Sequence, residues 1–171
     1  MKSLPALFSQ VIRIAPVPLN KGEYEFVSDL REFYSSMPDI LKDCELDLLR
    51  NMSKKGIGFF VGSNFYPDFI MWIKKGQRQH VVFIDSKGLR QVHGFKDQRY
   101  AFQKKNKELE KRLGDPDVKL EAFIISNTSK RDVSWWSQGE KASRDFAHHH
   151  ILFRKDDHSR YLLQFFEEVL A

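Results

Sequence analysis

The sequence predicts an α/β domain, a central sheet of four to five strands flanked by helices. Three observations carry that expectation. Short apolar runs rich in Val, Ile and Phe recur as FIMWI, VVFI and LEAFIIS, each bounded by Gly or charged residues. Stretches with helical spacing lie before, between and after them. At 171 residues with 42% hydrophobic content and 15 Phe, the chain suits one domain with a sizeable core and is not disordered.

Residues 1–20 read as a lead-in segment, because Pro16 and Pro18 bar a central strand. Pro5, Gln10 and Arg13 interrupt anything resembling a signal-peptide core. A single domain is expected over 21–171. Asn20 is the expected N-cap of the first helix, with Glu23 and Glu25 near its positive end. Phe26, Val27, Leu30, Phe33 and Tyr34 share one stripe, and Glu23 falls within it. An acid there needs a partner or a ligand, unless it is a solvated first-turn residue. Pro38-Asp39 opens a second expected helix, running to about Met52 with Ile40, Leu41, Leu46, Leu48 and Leu49 on its apolar side. Gly56 ends it, and residues 57–61 form a strand.

FIMWI (69–73) and VVFI (81–84) pair as a hairpin through a basic turn around Gly76. A helix over about 95–113 follows, expected to dock Phe95, Phe102, Leu109 and Leu113 on the sheet. Gly114-Asp115-Pro116-Asp117 breaks it, and LEAFIIS (120–126) is another strand. Residues 126–147 are polar, 151–153 form a last short strand, and 161–170 a closing amphipathic helix.

The hairpin organises the chemistry. Asp68 begins its first strand and Asp85 ends its second, so the two carboxylates lie side by side at one end of the sheet. Residues two apart on a strand share a face, so Lys87 points as Asp85 does. Two carboxylates and an ammonium gathered there make a metal site. Mg²⁺ takes one or two carboxylates plus water and phosphate oxygens, with Mn²⁺ as the substitute. The Ser86 backbone carbonyl offers a further oxygen, and Glu23 completes the shell through water. Between Lys74 and Arg112 stand twelve Lys and Arg against four acids, a local balance of +8 in a chain of net +5. Such a belt suits a polyanion, with Lys96, Arg99, Lys104 and Lys105 as candidate DNA phosphate contacts. The other reading of the belt is a solvated lysine-rich helix.

Pro67-Asp68, a gap, then Asp85-Ser86-Lys87, each embedded in an apolar run, resembles the PD-(D/E)xK nuclease superfamily. Glu23-Tyr24-Glu25-Phe26, YPDF and IDSKG are similar to the endonuclease domain at the C-terminus of type III restriction enzyme Res subunits and related superfamily 2 helicases. The resemblance covers about residues 22–153. It implies a restriction-endonuclease-like core with a mixed sheet in α-β-β-β-α-β order. It also implies a Mg²⁺-dependent endodeoxyribonuclease, hydrolysing DNA phosphodiester bonds by metal-activated water within a restriction or helicase–nuclease system. Asp68 and Asp85 would be metal ligands, Lys87 the catalytic lysine and Glu23 the accessory acid. Asp85 stands where Glu is commoner. The chain lacks a G-x-x-x-x-G-K-[ST] phosphate loop, so it reads either as an excised nuclease domain or as a stand-alone relative, and the helicase/ATPase motor and methyltransferase subunit that the resemblance implies as partners are absent from it. Cutting both strands calls for two sites, hence a dimer or larger assembly. The alternative is a catalytically silent nuclease-like module for DNA binding or protein docking.

The remaining signals point elsewhere. The single Cys44 forms no internal disulfide and excludes a cysteine-type zinc site, which fits a cytoplasmic setting. No run reaches the length of a membrane span. His148, His149 and His150 precede a strand, where at most alternate members share a face. Trp135 and Trp136 read as loop packing at least as readily as base-stacking platforms. RNA is a further candidate substrate beside DNA.

Overall fold

The computed structural model describes residues 18–52, 66–86, 101–133, 146, 148–158 and 160–171. Their architecture is a five-stranded mixed sheet with three helices, in the order α-β-β-β-α-β-β-α. The helices are α1 (Lys21–Ser35), α2 (Ala101–Leu113) and α3 (Tyr161–Val169). The strands are β1 (Cys44–Arg50), β2 (Phe69–Lys75), β3 (Arg78–Asp85), β4 (Val118–Ser126) and β5 (Ile151–Phe153), side by side in that order. β1, β2 and β3 run antiparallel, whereas β3, β4 and β5 run parallel.

The hairpin forms as the sequence predicts. Gly76 turns it with φ of 61°, a left-handed conformation that suits glycine. Phe69, Met71 and Ile73 of β2 share a face with Val82 and Ile84 of β3, Phe123 and Ile125 of β4, and Leu152 of β5. α1 covers that face with Phe26 and Leu30, and α3 with Tyr161, Leu162, Phe165, Phe166 and Val169. Truncating one of the buried Phe side chains to Ala would cost about 3–5 kcal/mol. The opposite face carries a smaller core of Ile70, Phe83 and Ala122. Arg154, just beyond β5, ties the first layer together. Its guanidinium donates to Asp29 (2.5 and 3.1 Å) and Glu25 (3.0 Å) of α1, and the Tyr161 hydroxyl donates to Asp29 (2.8 Å).

Two expectations are corrected. The second helix is absent: a three-residue 3-10 turn (Asp39–Leu41) leads into strand β1 instead. Its burial alternates strictly along CELDLLR, with Cys44, Leu46, Leu48 and Arg50 turned inward. Asp43, at φ of 61°, redirects the chain before it. The second correction concerns α2, whose Leu109 and Leu113 are exposed (37% and 55%) while Asn106 is wholly buried. The reason lies in β5, which pairs only with Ile124, Ile125 and Ser126 of β4. Over the uncovered stretch, Glu110 of α2 accepts from the Leu120 amide (2.8 Å) and Gln103 from the Ala122 amide (2.7 Å). A polar helix face thus covers a strand edge. The expected strand over 57–61, the start of the helix at 95–100 and Trp135 and Trp136 lie outside the described residues.

Candidate functional site

β2 and β3 are in register from Lys75 opposite Arg78 to Phe69 opposite Ile84. Asp68 lies one residue before β2, and Asp85 is the last residue of β3, so the two adjoin the final Phe69–Ile84 pair. Asp68 also continues the ladder toward β1, since its carbonyl accepts from the Asn51 amide at 2.8 Å. The Asn51 carboxamide donates to the Pro67 carbonyl at 2.9 Å, fixing the Pro67-Asp68 pair from its other side. Asp85 is 2% exposed. By strand alternation it projects to the face of Phe83 and Ile70. The Asp68 carboxylate turns onto the end of β3, where its Oδ2 accepts from the Ser86 amide (2.9 Å) and the Ser86 hydroxyl (3.1 Å).

Glu23 has a partner. It closes a capping box with Asn20: the Glu23 amide donates to Asn20 Oδ1 (2.9 Å) and the Asn20 amide to Glu23 Oε2 (3.0 Å). Arg50, the last residue of β1, donates to the same Glu23 oxygen at 2.8 Å. Arg50 stands opposite Phe69, so this ion pair is on the α1 side of the sheet. Glu23 is therefore buried but engaged, and the solvated reading does not apply. The Ser86 carbonyl, proposed as a metal oxygen, accepts from the Asn127 carboxamide at 3.1 Å.

Asn127 follows the end of β4. Before it, Ser126 builds a small turn, its hydroxyl donating to the Thr128 carbonyl (2.9 Å) and accepting from the Thr128 amide (3.1 Å). α1 begins against the same spot. A methyl group at Gly22 would overlap the Asn127 carboxamide nitrogen and lie 3.1 Å from the Ser86 carbonyl oxygen. The carboxyl ends of the parallel strands β3 and β4, where open α/β sheets hold their ligands, thus carry Asp85-Ser86 and Ser126-Asn127.

Of the expected phosphate contacts, Lys104 is exposed and Lys105 half-buried on α2. Lys87, Lys96 and Arg99 lie outside the described residues. His80 is buried on β3 and His150 half-buried before β5, each with its pKa lowered chiefly by burial. Among the described residues no group of three His, Cys, Asp or Glu side chains is arranged to hold a metal ion. No helix among them is long and apolar enough to cross a membrane. Sequence reasoning did not single out Arg50, Gly22 or Asn127. The alternation of CELDLLR was a signal for Arg50, whereas Asn127 and Gly22 matter only through partners distant along the chain. Comparison with family models, with curated proteins and with solved structures returns no match.

Proposed function

We propose that this chain is a Mg²⁺-dependent endodeoxyribonuclease domain, with Asp68 and Asp85 as metal ligands and Lys87 as the catalytic lysine. The reading rests on one observation, the β2–β3 register ending at Phe69 opposite Ile84, with Asp68 and Asp85 as the adjoining residues of the two strands. The donor set fits the ion: both groups offer hard carboxylate oxygens, and Mg²⁺ needs only one or two carboxylates when phosphate and water supply the rest. When bound, the ion supplies Lewis-acid neutralisation of phosphate charge and lowers the pKa of the attacking water.

The chain's own residues do the remaining work. Ser86 holds the Asp68 carboxylate in place through two donors. Lys87, two positions beyond Asp85, brings an ammonium to the charge developing on the phosphate. Lys104 and Lys105, with Lys96 and Arg99, supply cations for the DNA backbone. Glu23 acts through Arg50, joining α1 to β1, rather than as a ligand. A role within a restriction or helicase–nuclease system, alongside a motor and a methyltransferase, belongs to the same proposal. So does a dimer for cutting both strands.

Plasmid nicking with Mg²⁺ or Mn²⁺ tests it. The wild type should nick, while Lys87→Ala and Asp68→Ala should not. Equal activity in all three proteins rejects the assigned site. A second reading, a silent nuclease-like module, is favoured by the structural engagement of Glu23 and of the Ser86 carbonyl. It expects salt-sensitive DNA binding indifferent to metal, and no cleavage.

A further inference from the structure

Ser86 stands at the centre of a chain of contacts running through four elements. Its amide and hydroxyl hold Asp68, which precedes β2. Its carbonyl is held by Asn127, which follows β4. Asn127 is in turn backed by Gly22, in the first turn of α1, where a Cβ would overlap the carboxamide nitrogen and force it to move. A strand terminus has no further ladder to fix its last peptide, so the Asn127 carboxamide replaces the missing pairing at the point where β3 ends.

We propose that Asn127 is a positioning residue for the carboxylate pair, acting through Ser86. The inference rests on the nuclease reading for its purpose, although the latch itself is a matter of geometry. Asn127 fixes the Ser86 peptide plane through its carbonyl. The plane sets the direction of the Ser86 carbonyl, while the residue as a whole presents its amide and hydroxyl to Asp68 Oδ2. Asp68 is thereby held relative to Asp85, the immediate neighbour of Ser86. The side-chain nitrogen must face Ser86, because a carbonyl oxygen accepts and cannot donate. Asn127→Asp keeps the shape but sets an oxygen against that carbonyl, so the charge-bearing isostere should harm the latch as much as truncation does. Gly22→Ala reaches the same contact from the other side, pushing the carboxamide away without deleting it.

The experiment uses the full chain and two readouts. The first is amide hydrogen exchange with no metal or DNA present. In Asn127→Ala, Asn127→Asp and Gly22→Ala, exchange at Ser86 should accelerate at least tenfold, while Val82 and Ile84 within β3 keep wild-type rates. Unchanged exchange at Ser86, or equal acceleration at all three positions, overturns the latch. The second readout is Mn²⁺ binding by titration calorimetry alongside plasmid nicking kinetics. The Asn127 variants should bind Mn²⁺ at least tenfold more weakly and lose kcat, with KM for plasmid near the wild-type value. Loss confined to KM, or unchanged Mn²⁺ affinity in a variant whose Ser86 exchange has accelerated, overturns the positioning role. If the wild type neither binds Mn²⁺ nor nicks, the nuclease reading fails and the positioning role with it, whereas the exchange result still decides the latch.

Discussion

Asp85 and Glu121 are buried carboxylates on neighbouring strands, 2% and 9% exposed, set beside different neighbours. Glu121 is met by the Lys107 ammonium, by the Gln103 carboxamide, and at 3.7 Å by His150. Its charge is answered by a cation that the fold itself supplies. Asp85 stands at the end of β3 beside a second acid, and that acid, Asp68, takes neutral donors from Ser86. Two carboxylates about 4 Å apart repel by about 4 kcal/mol at an effective dielectric near 20. Against total stabilities of about 5–15 kcal/mol, two acids at that separation need a cation or a shared proton between them. Burial of an acid therefore says little until its partner is named: the ammonium at Glu121 marks architecture, whereas the neighbouring acid at Asp85 is what the proposed Mg²⁺ site would use.

The contrast can be broken experimentally, and the largest effect is expected in catalysis. Asp85→Asn should lower nicking by about 100-fold or more, the scale of losing a principal electrostatic element of a site. Glu121→Gln should leave nicking within a few-fold of wild type. Comparable losses in both would erase the distinction. Next comes metal linkage. At a Mn²⁺ concentration of about 100 Kd, the wild type should gain about 2.7 kcal/mol in unfolding free energy. Asp85→Asn should gain little and Glu121→Gln the full amount, as denaturant titrations with and without Mn²⁺ would read.

Glu121→Gln should itself cost on the order of 1–2 kcal/mol in the absence of metal. Breaking a fully buried pair costs more, but Lys107 is over a third exposed and water recovers part of the loss. The smallest effect concerns pH. His80 and His150 have lowered pKa values, burial being the main cause and nearby Lys107 adding to it, while Glu121 pulls the other way. The unfolded chain therefore takes up protons near pH 6.5 that the folded chain refuses. Their contribution to stability is complete above that pH and is lost as pH falls through the lowered folded values. His80→Gln with His150→Gln should flatten denaturation midpoints measured between pH 7 and 5. A slope equal to that of wild type would remove the histidines from the account.

Much of this arrangement was legible in the sequence because its signals are local. Two apolar runs around Gly76 give the hairpin, and Asn20 with Glu23 three residues later gives the capping box. The hairpin then dictates that Asp68 and Asp85 become neighbours. β1 was misread because Leu46, Leu48 and Leu49 suit a helical stripe as well as a strand, and the deciding alternation spans only seven residues. α2 was misread at its docking face because the rule seeks apolar positions, whereas the helix meets backbone amides and uses Gln103 and Glu110. Glu23 was rightly expected to need a partner, but Arg50 lies 27 residues away, across a segment read as a helix. The Asn127–Ser86 contact spans 41 residues and leaves no periodic trace.

The brevity of β5 has a consequence for encounters between molecules. A sheet margin with idle amide hydrogens invites another polypeptide to dock alongside it and prolong the ladder. Here the hydrogens of Leu120 and Ala122 are already donated to side chains of a helix, and that of Ile124 to the His150 carbonyl. An arriving strand would have to displace Glu110 and Gln103 before it could accept from the Leu120 or Ala122 amide. Along this border, two long polar side chains guard against accretion at the cost of little more than one helical turn each.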